Sequence, residues 1–328
     1  MIPRHAPLVI TTRGGITEGV HYGSVAVVDA GGRLLAGAGD PLALNFTRSA
    51  LKPLQATPFL EDGGMAHYGF GSHELALMCA SHSGEAMHAA IVRRILERAG
   101  CSQRQLQCGC HLPHYFAAAG VEPPAGRKWP ALQHNCSGKH SGFLAWCRMQ
   151  RKSVAHYLDP AHPLQRRIAA LVRRYARGRR AVRGIDGCGA PNYALPLAGL
   201  AHLYGEIAAG AGATQRAIFY AMTRHPDLVS GTGRFDLALM QAGRGDWVTK
   251  AGAMGVHAIG VRSRGLGIAV RIADGTPYAL QAATISVLDQ LGLPTPGLQA
   301  WRHAVTRNFA GRVTGGARAV FRLKRVVS

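Results

Sequence analysis

Apolar runs bounded by turn residues indicate β-structure at both ends of the chain. Near the N-terminus, Val25-Ala26-Val27-Val28 is an uninterrupted apolar run, and the turn residues Ala30-Gly31-Gly32 follow it closely. This pattern predicts a β-hairpin with strands over residues 20–29 and 33–38. Near the C-terminus, similar patterns predict three short strands at residues 247–249, 256–261 and 266–272, with a turn at 262–265 between the last two.

The region between these strands has mostly helical signals. Apolar residues recur at helical spacing, and the predicted helices begin near Ser49, Glu85 and Gly138, occupy most of residues 160–230, and finish with one from Pro277 to about Leu291. Ser83 is a plausible cap for the second of these helices and Gly100 its stop. A loop rich in Cys, His and Pro covers about 107–137.

The order of the elements predicts an α+β fold. An N-terminal hairpin and C-terminal strands can pair into one antiparallel sheet, flanked by the helical block between them. We therefore expect a single two-lobed catalytic domain over residues 1–328. Its sheet lobe would comprise about 1–48 and 245–328, and its helical lobe about 49–244.

The composition is that of a globular protein. Hydrophobic residues make up 47% of the 328-residue chain, and no stretch approaches the roughly 18 apolar residues of a membrane-spanning helix. The N-terminus Met1-Ile2-Pro3-Arg4-His5 lacks the apolar core of a secretory signal. These features predict a cytoplasmic protein with no membrane partner.

The charge is strongly basic, with a formal net charge of +21, and only six of the 38 basic residues are lysines. The densest basic run lies between Arg166 and Arg183, and a second run lies between Arg318 and Arg325. Such runs can bind nucleic acid or acidic surfaces. No aromatic interleaving or known nucleic-acid motif accompanies them, so a solvated arginine-rich face is favoured and nucleic-acid binding is not expected.

The four residues Ser49-Ala50-Leu51-Lys52 are the leading catalytic candidate. A serine and a lysine three residues apart lie on the same face of a helix, and the helix N-terminus favours an alkoxide-like oxygen. Lys52 could act as the base if burial or neighbouring cations lower its pKa. Pro53 is best tolerated in the first helical turn, which places Ser49 at the cap. The alternative, a solvated helix start, is common for this motif.

Two further segments have candidate catalytic groups. Ser81, in the polar loop Ser81-His82-Ser83-Gly84-Glu85, is either a second active-site serine or part of a turn beside a Ser83 cap. Lys250-Ala251-Gly252 at a strand end is similar to the Lys-Thr-Gly element of penicillin-recognising serine enzymes, which also use Ser-x-x-Lys. The alternative for Lys250 is a solvated lysine.

The seven cysteines are an odd number in a long chain, which argues against a disulfide framework and for free thiols. Cys136 and Lys139 are three residues apart at a predicted helix start, and Cys188 lies in a Gly-rich loop. Two thiolates are strong ligands for zinc, although a lysine would be an unusual third ligand. Unpaired structural cysteines are the alternative. The cluster Cys108-Gly109-Cys110-His111 is a less favoured metal site because its close spacing would strain a single site.

Six motifs in order give the chain a resemblance to a known family. The chain resembles the bacterial Rhizobium etli-type (class 3) L-asparaginases, and the resemblance covers most of its length. It rests on Arg48-Ser49-Ala50-Leu51-Lys52-Pro53, Cys79-Ala80-Ser81-His82-Ser83-Gly84-Glu85, Asn135-Cys136-Ser137-Gly138-Lys139-His140, Asp186-Gly187-Cys188-Gly189, Gly231-Thr232-Gly233-Arg234-Phe235 and Lys250-Ala251-Gly252-Ala253.

The resemblance implies a fold like that of serine β-lactamases and glutaminases, a homodimer, and hydrolysis of L-asparagine to L-aspartate and ammonia. It implies two Ser–Lys pairs, Ser49 with Lys52 and Ser81 with Lys250. It also implies zinc beside the pocket, with the ligands Cys136, Lys139 and Cys188. Arg48, His140 and Asp186 match residues that line or support the site.

Met254 is a departure from the family pattern, which usually has an acidic residue four positions after the second lysine. If that acid contacts substrate, specificity or rate will differ. The expected reaction has Ser49 Oγ, deprotonated by neutral Lys52, attack the side-chain amide of asparagine and form an acyl-enzyme. The alternatives are a related serine amidohydrolase, acting on glutamine or a β-lactam, and a weakly catalytic basic binding protein of the same fold.

Overall fold

The computed structural model describes residues 2–326, and the chain divides into two compact units. The unit that we call the sheet unit comprises residues 1–50, 195–209 and 238–328, and the helical unit comprises residues 51–194 and 210–237.

The strands, in chain order, are β1 (Ala6–Arg13), β2 (Ile16–Asp29), β3 (Leu34–Ala38), β4 (Leu44–Phe46), β5 (Val182–Ile185), β6 (Pro191–Pro196), β7 (Trp247–Gly252), β8 (Val256–Val261), β9 (Leu266–Ile272), β10 (Val305–Arg307), β11 (Val313–Ala319) and β12 (Lys324–Arg325).

The α-helices are α1 (Lys52–Glu61), α2 (Gly64–Tyr68), α3 (Ser72–Met78), α4 (Ala86–Arg98), α5 (His114–Ala119), α6 (Ser137–Met149), α7 (Pro163–Arg173), α8 (Leu197–Ala209), α9 (Ala213–Arg224), α10 (Pro226–Val229), α11 (Phe235–Ala242), α12 (Pro277–Gln290) and α13 (Gln299–Arg302). Short 3₁₀ turns cover Arg48–Leu51, Gln103–Gln105 and Ala131–Gln133.

The sheet unit contains an antiparallel sheet with the strand order β10-β11-β1-β2-β9-β8-β7. The long strand β2 pairs with β9 along one edge, and with β1 and then β3 along the other. The predicted α+β class is confirmed, and so is a sheet that joins N-terminal and C-terminal strands. Strands β1, β10, β11 and β12 were not predicted. Strands β10 and β12 are very short and β11 contains two glycines, so these three lack a clear apolar alternation.

Two helices of the sheet unit cover its sheet. Helix α12 packs on β1, β9 and β11, and α8 packs on β2, β8 and β9. A Cβ atom at Gly267 of β9 would lie 1.9 Å from the Ala201 carbonyl oxygen, so only glycine permits this approach. The sequence analysis placed α8 in the helical lobe; its nearly all-apolar sequence instead lies against the sheet.

Helix α6 is the centre of the helical unit. It contacts α1, α3 and α4, and every residue from Ser137 to Cys147 is buried. Two glycines allow α3 to approach closely: a Cβ at Gly138 would lie 2.2 Å from the Leu77 carbonyl oxygen, and one at Gly142 would lie 2.9 Å from Met78 Cγ. This contact brings the N-terminus of α6 beside the loop that follows α3.

Three local predictions need correction. Ser83 does not cap α4, because its hydroxyl donates to the Ser230 carbonyl oxygen over 2.9 Å. The helix predicted from Ser49 starts as a 3₁₀ turn and becomes α-helical only at Lys52. The middle region is interrupted by β5 and β6, because Pro191 and the preceding Gly-rich turn favour an extended chain.

Non-glycine residues occupy the left-handed region of the backbone at Arg48, Arg151, Arg177, Arg244 and Met254. This conformation is unfavourable for side chains of this size. Arg48 (φ 49°) directly precedes Ser49, and Met254 (φ 60°) lies in the turn between β7 and β8.

All seven cysteines are free thiols, as predicted. Among residues 2–326, no helix combines the length and apolar character needed to cross a membrane.

Candidate active site

Lys52 is the most deeply buried charged group of the helical unit's candidate site. It begins α1, directly before Pro53, and its side chain is only 1% exposed. Its Nζ donates to the Ala80 carbonyl oxygen at 2.5 Å, to Ser81 Oγ at 2.8 Å and to the Asn135 carbonyl oxygen at 3.2 Å. The lysine amine therefore contacts both the loop after α3 and the segment before α6.

Burial lowers the pKa of Lys52, and the neighbouring Lys139 adds to this effect while the Cys136 and Cys188 thiols oppose it. A lower pKa favours the uncharged amine, which can accept a proton from a hydroxyl. The contact with Ser81 thus has the geometry and the electrostatics of a hydroxyl beside its base.

Ser81 is fixed from several sides. Its backbone N–H donates to the Val229 carbonyl oxygen at 3.0 Å, and its own carbonyl oxygen accepts from Arg234 at 2.5 Å. Ser81 as a whole is 3% exposed. Because backbone and side chain are both held, the Ser81 hydroxyl keeps its position at Lys52.

Two buried histidines lie beside this pair. His82 Nε2 is 3.0 Å from Ser137 Oγ, and its ring stacks on that of His88 with centroids 4.9 Å apart. Burial lowers the pKa of His82 well below its usual value, and the neighbouring basic groups of His88, Lys52, His134 and Arg234 lower it further. Burial also lowers the pKa of His88. Both rings are neutral near pH 7.

The predicted metal ligands come together in the helical unit. Lys139 Nζ lies 3.1 Å from Cys188 Sγ, and all three side chains, of Cys136, Lys139 and Cys188, are at least 96% buried. The hydrogen bond from the Cys136 thiol lowers the pKa of Cys188, and Lys139 acts in the same direction. The arrangement is that of a thiolate stabilised by a thiol and an ammonium.

His140 adds an unused donor or acceptor to this cluster. Its Nδ1 is hydrogen-bonded to the Tyr157 hydroxyl at 2.7 Å, while its Nε2 is buried and makes no hydrogen bond in the part of the chain that is described. Burial lowers the pKa of His140 to about 4, although Cys188 acts to raise it. Asp186 is half-buried in the turn before Cys188.

The two soft thiols of Cys136 and Cys188 suit zinc better than a hard cation, and Lys139 would have to lose its proton to join them as a ligand. Within residues 2–326, no group of three or more His, Cys, Asp or Glu side chains is placed to hold a metal. In the rival cluster, Cys108 is buried and Cys110 is exposed.

Ser49 lies in the sheet unit and has different surroundings. It is half-buried on the 3₁₀ turn that contains the strained Arg48. The Tyr204 hydroxyl donates to the Ala50 carbonyl oxygen at 2.9 Å and holds this turn on α8. Among the described residues of its own unit, no side chain forms a hydrogen bond with the Ser49 hydroxyl.

Strand β7 lies against the same turn. A Cβ at Gly252 would be 2.9 Å from the Thr47 carbonyl oxygen and 3.1 Å from Arg48 Cβ. Glycine at this position therefore allows the strand that contains Lys250 to approach the turn closely. Lys250 is fully buried, and its Nζ donates to the Ala251 carbonyl oxygen at 2.7 Å.

Arg271 on β9 was not among the predicted site residues. Burial lowers the pKa of Arg271, and the Arg48 guanidinium lowers it further, while Asp274 opposes both. Two guanidinium groups thus lie close enough to repel each other beside the turn that contains Ser49. Because Arg271 lies among small and β-branched strand residues, the sequence offered no signal for it.

The two predicted Ser–Lys pairs each combine a residue of one unit with a residue of the other: Ser49 and Lys250 belong to the sheet unit, Lys52 and Ser81 to the helical unit. These pairings stay predictions. Within the helical unit, the hydrogen-bonded serine and lysine are Ser81 and Lys52.

A search of the curated proteins finds no match to this chain. A β-lactamase from Mycobacterium bovis is among the similar solved structures, with a TM-score of 0.38 and 14% sequence identity, over 83% of this chain and 95% of that chain. A similarity this low carries no argument about the site.

The family comparison is more informative. The family model described as L-asparaginase II matches residues 9–319. This range contains every candidate site residue discussed above and leaves only short segments at both ends. The chain therefore belongs to the L-asparaginase II family.

Proposed function

We propose that this protein hydrolyses the side-chain amide of L-asparagine to give L-aspartate and ammonia. Family membership supports an amide hydrolase. The substrate, L-asparagine, and the mechanism are our proposal. The proposal depends above all on one observation, the 2.8 Å hydrogen bond between the buried Lys52 amine and the Ser81 hydroxyl. Burying a lysine amine is costly, and buried ionisable groups with strongly shifted pKa values cluster at functional sites.

In the proposed reaction, Ser49 Oγ forms a bond to the side-chain carbonyl carbon of asparagine. The carbon–nitrogen bond breaks, the nitrogen takes up a proton, and ammonia leaves a β-aspartyl ester on the enzyme. Water then attacks the ester, which releases aspartate and returns a proton to the serine oxygen. Lys52, Ser81 and Lys250 are the proposed proton carriers, since amines and hydroxyls in sequence can relay a proton from nucleophile to leaving group.

Substrate recognition is assigned to the cations of the sheet unit. Burial lowers the pKa of Arg271, and the positive charge of Arg48 adds to this effect. A bound α-carboxylate would remove the repulsion between the two guanidinium groups and accept charge-assisted hydrogen bonds from both. Asparagine carries such a carboxylate, and so does glutamine, so this pair selects the amino-acid end of the substrate and not the length of its side chain.

Zinc is the proposed metal, with Cys136, Lys139 and Cys188 as ligands and with His140 and Asp186 as supporting residues. When bound, zinc would supply a fixed positive charge and stiffen this part of the helical unit. No step of the reaction above uses it. Metal analysis of the purified protein should find about one zinc per chain, and Cys188→Ser should reduce that content.

The decisive experiment identifies the serine that is acylated. The protein is mixed with asparagine, quenched in acid and digested, and peptides are mapped for the mass of one aspartyl group. We expect the adduct on the peptide with Ser49, and Ser49→Ala should abolish both the adduct and ammonia release.

The hydrogen bond to Lys52 makes Ser81 the second candidate for the nucleophile. An adduct on Ser81 would exchange the roles of the two serines and keep the amidohydrolase. Wild-type protein that releases no ammonia would refute the proposal. Asparagine, glutamine and a chromogenic β-lactam, tested side by side, separate the proposed substrate from the related alternatives.

The homodimer and the cytoplasmic location also stay predictions. Sedimentation velocity at several protein concentrations tests the first, and fractionation of the source cells tests the second.

A further inference from the structure

The helical unit contains a cavity away from the residues assigned to catalysis. It has a volume of about 1000 Å³ and is lined by residues of α7 and β5, by the segments that precede them, and by Tyr193 of β6. Five arginines line it, Arg166, Arg167, Arg173, Arg180 and Arg183, and no carboxylate does. A concave site of this size matches the volume of pockets that hold small ligands.

The sequence of α7 explains how the arginines come to one side. Leu164, Ile168 and Val172 are buried and hold the helix on the core. Arg166 and Arg173 project from the remaining surface and are exposed. Arg180 and Arg183 follow on the segment that leads into β5 and pairs with β6, so both elements present guanidinium groups to the same cavity.

The charges in this cavity are largely uncompensated. Arg167 forms ion pairs with Asp62 and with Glu61, the latter at 2.8 Å. The guanidinium groups of the other four arginines have no hydrogen bond or ion pair among the side chains and carbonyl groups of residues 2–326. The buried Tyr193 ring also faces them: burial raises its pKa, whereas Arg183 and Arg173 lower it. Four cations thus converge on one apolar floor.

We propose that this cavity binds a small organic bisphosphate. A phosphate monoester carries about −1.5 to −2 charges near pH 7, so two of them match the four uncompensated arginines, which a single phosphate would not. The planar guanidinium group binds phosphate oxygens in pairs. A nucleic acid fits less well, because the site is concave and its one aromatic ring is buried and not available for base stacking.

The test uses fructose 1,6-bisphosphate as the probe, measured by titration calorimetry on the full-length protein in 150 mM salt (roughly physiological ionic strength). We expect saturable binding of one molecule per chain, with inorganic phosphate at least about tenfold weaker. The triple variant Arg173→Ala, Arg180→Ala, Arg183→Ala should lose about tenfold or more in affinity.

The matched control removes the same charge elsewhere. Arg104, Arg318 and Arg322 are exposed, and their triple replacement by Ala should change the affinity by less than about twofold. An equal loss in both triples, or no saturable binding to wild type, would overturn the proposal. A thymidine 20-mer that binds more tightly per phosphate than the bisphosphate would also overturn it, in favour of nucleic acid. Because binding is measured without hydrolysis, this result is independent of the asparaginase test.

Discussion

The two candidate serines lie in contrasting environments. Ser81 is buried, held through its backbone and hydrogen-bonded to an amine that burial keeps weakly basic. Ser49 is half-buried on a strained turn, beside two guanidinium groups that repel each other. The proposed function assigns proton transfer to Lys52 and Ser81 in the first environment, and binding of an anionic substrate to Arg48 and Arg271 in the second.

The largest expected effect comes from removing the amine of the helical unit. Lys52→Met keeps the length of the side chain but leaves Ser81 Oγ without its base, so kcat should fall by about a thousandfold. Lys152→Met, at an exposed lysine, is the matched control and should leave kcat unchanged. Ammonia release under substrate saturation measures both. A near-normal kcat of the Lys52→Met enzyme would contradict the proposed role of Lys52 in proton transfer.

The second effect concerns substrate affinity in the sheet unit. Arg271→Ala should raise KM for asparagine by about tenfold or more and change kcat little, since a carboxylate contact is present in ground state and transition state alike. Arg271→Lys should recover part of the affinity. Arg264→Ala removes an exposed arginine and should do nothing. A fall in kcat with constant KM would instead place Arg271 in the chemical step.

A third effect is the acid sensitivity of the helical unit. His82 and His88 have pKa values lowered by burial, whereas in the unfolded chain they titrate near 6.5. Below that pH the unfolded state binds protons that the folded state does not, so the free energy of unfolding falls as the pH falls. The slope is at most about 1.4 kcal/mol per pH unit for each histidine.

Urea denaturation between pH 7.5 and 5 measures this slope, and His88→Gln should reduce it. Constant stability over this range would show that the two rings are not the neutral, buried pair described here.

The smallest effect tests the strain in the sheet unit. Met254 has φ 60° and is 56% exposed, so Met254→Gly should relieve an unfavourable backbone and raise the free energy of unfolding by about 1 kcal/mol. Ala253→Gly, at the neighbouring exposed position with ordinary φ, should lower it by about 0.5–1 kcal/mol. Equilibrium unfolding in urea distinguishes the two signs. If both variants are destabilised, the turn is not strained.

Helices and strands were predicted well where apolar residues recur regularly and where proline or glycine defines the ends of the segment. Helix α4 and helix α12 begin and end within two residues of expectation, because apolar spacing, Pro277 and Gly100 define them locally. The hairpin of β2 and β3 was found from one apolar run and one Gly-rich turn. These signals come from neighbouring residues, so they predict an element even when the residues that pack against it are not known.

Partners that are distant in sequence could not be predicted. The hydroxyl that contacts Lys52 depends on Gly138 and on the close approach of α3 to α6, a packing fact that no short motif contains. Arg271 likewise acts through its neighbour Arg48, which is more than two hundred residues away in the sequence. The arginine run of α7 was visible, but not that β5 would fold beside it and close a cavity.

Four of the five non-glycine residues in left-handed backbone conformation, within residues 2–326, are arginines. Each of them costs the folded chain about 1–2 kcal/mol relative to glycine, and only Arg48 adjoins a residue assigned to chemistry. At Arg151, Arg177 and Arg244, arginine therefore destabilises the folded backbone at a position next to no residue that is assigned to chemistry. Packing of the apolar interior must offset this free-energy cost. Replacing these three arginines with glycine would remove the cost without changing a residue near the proposed reactive groups.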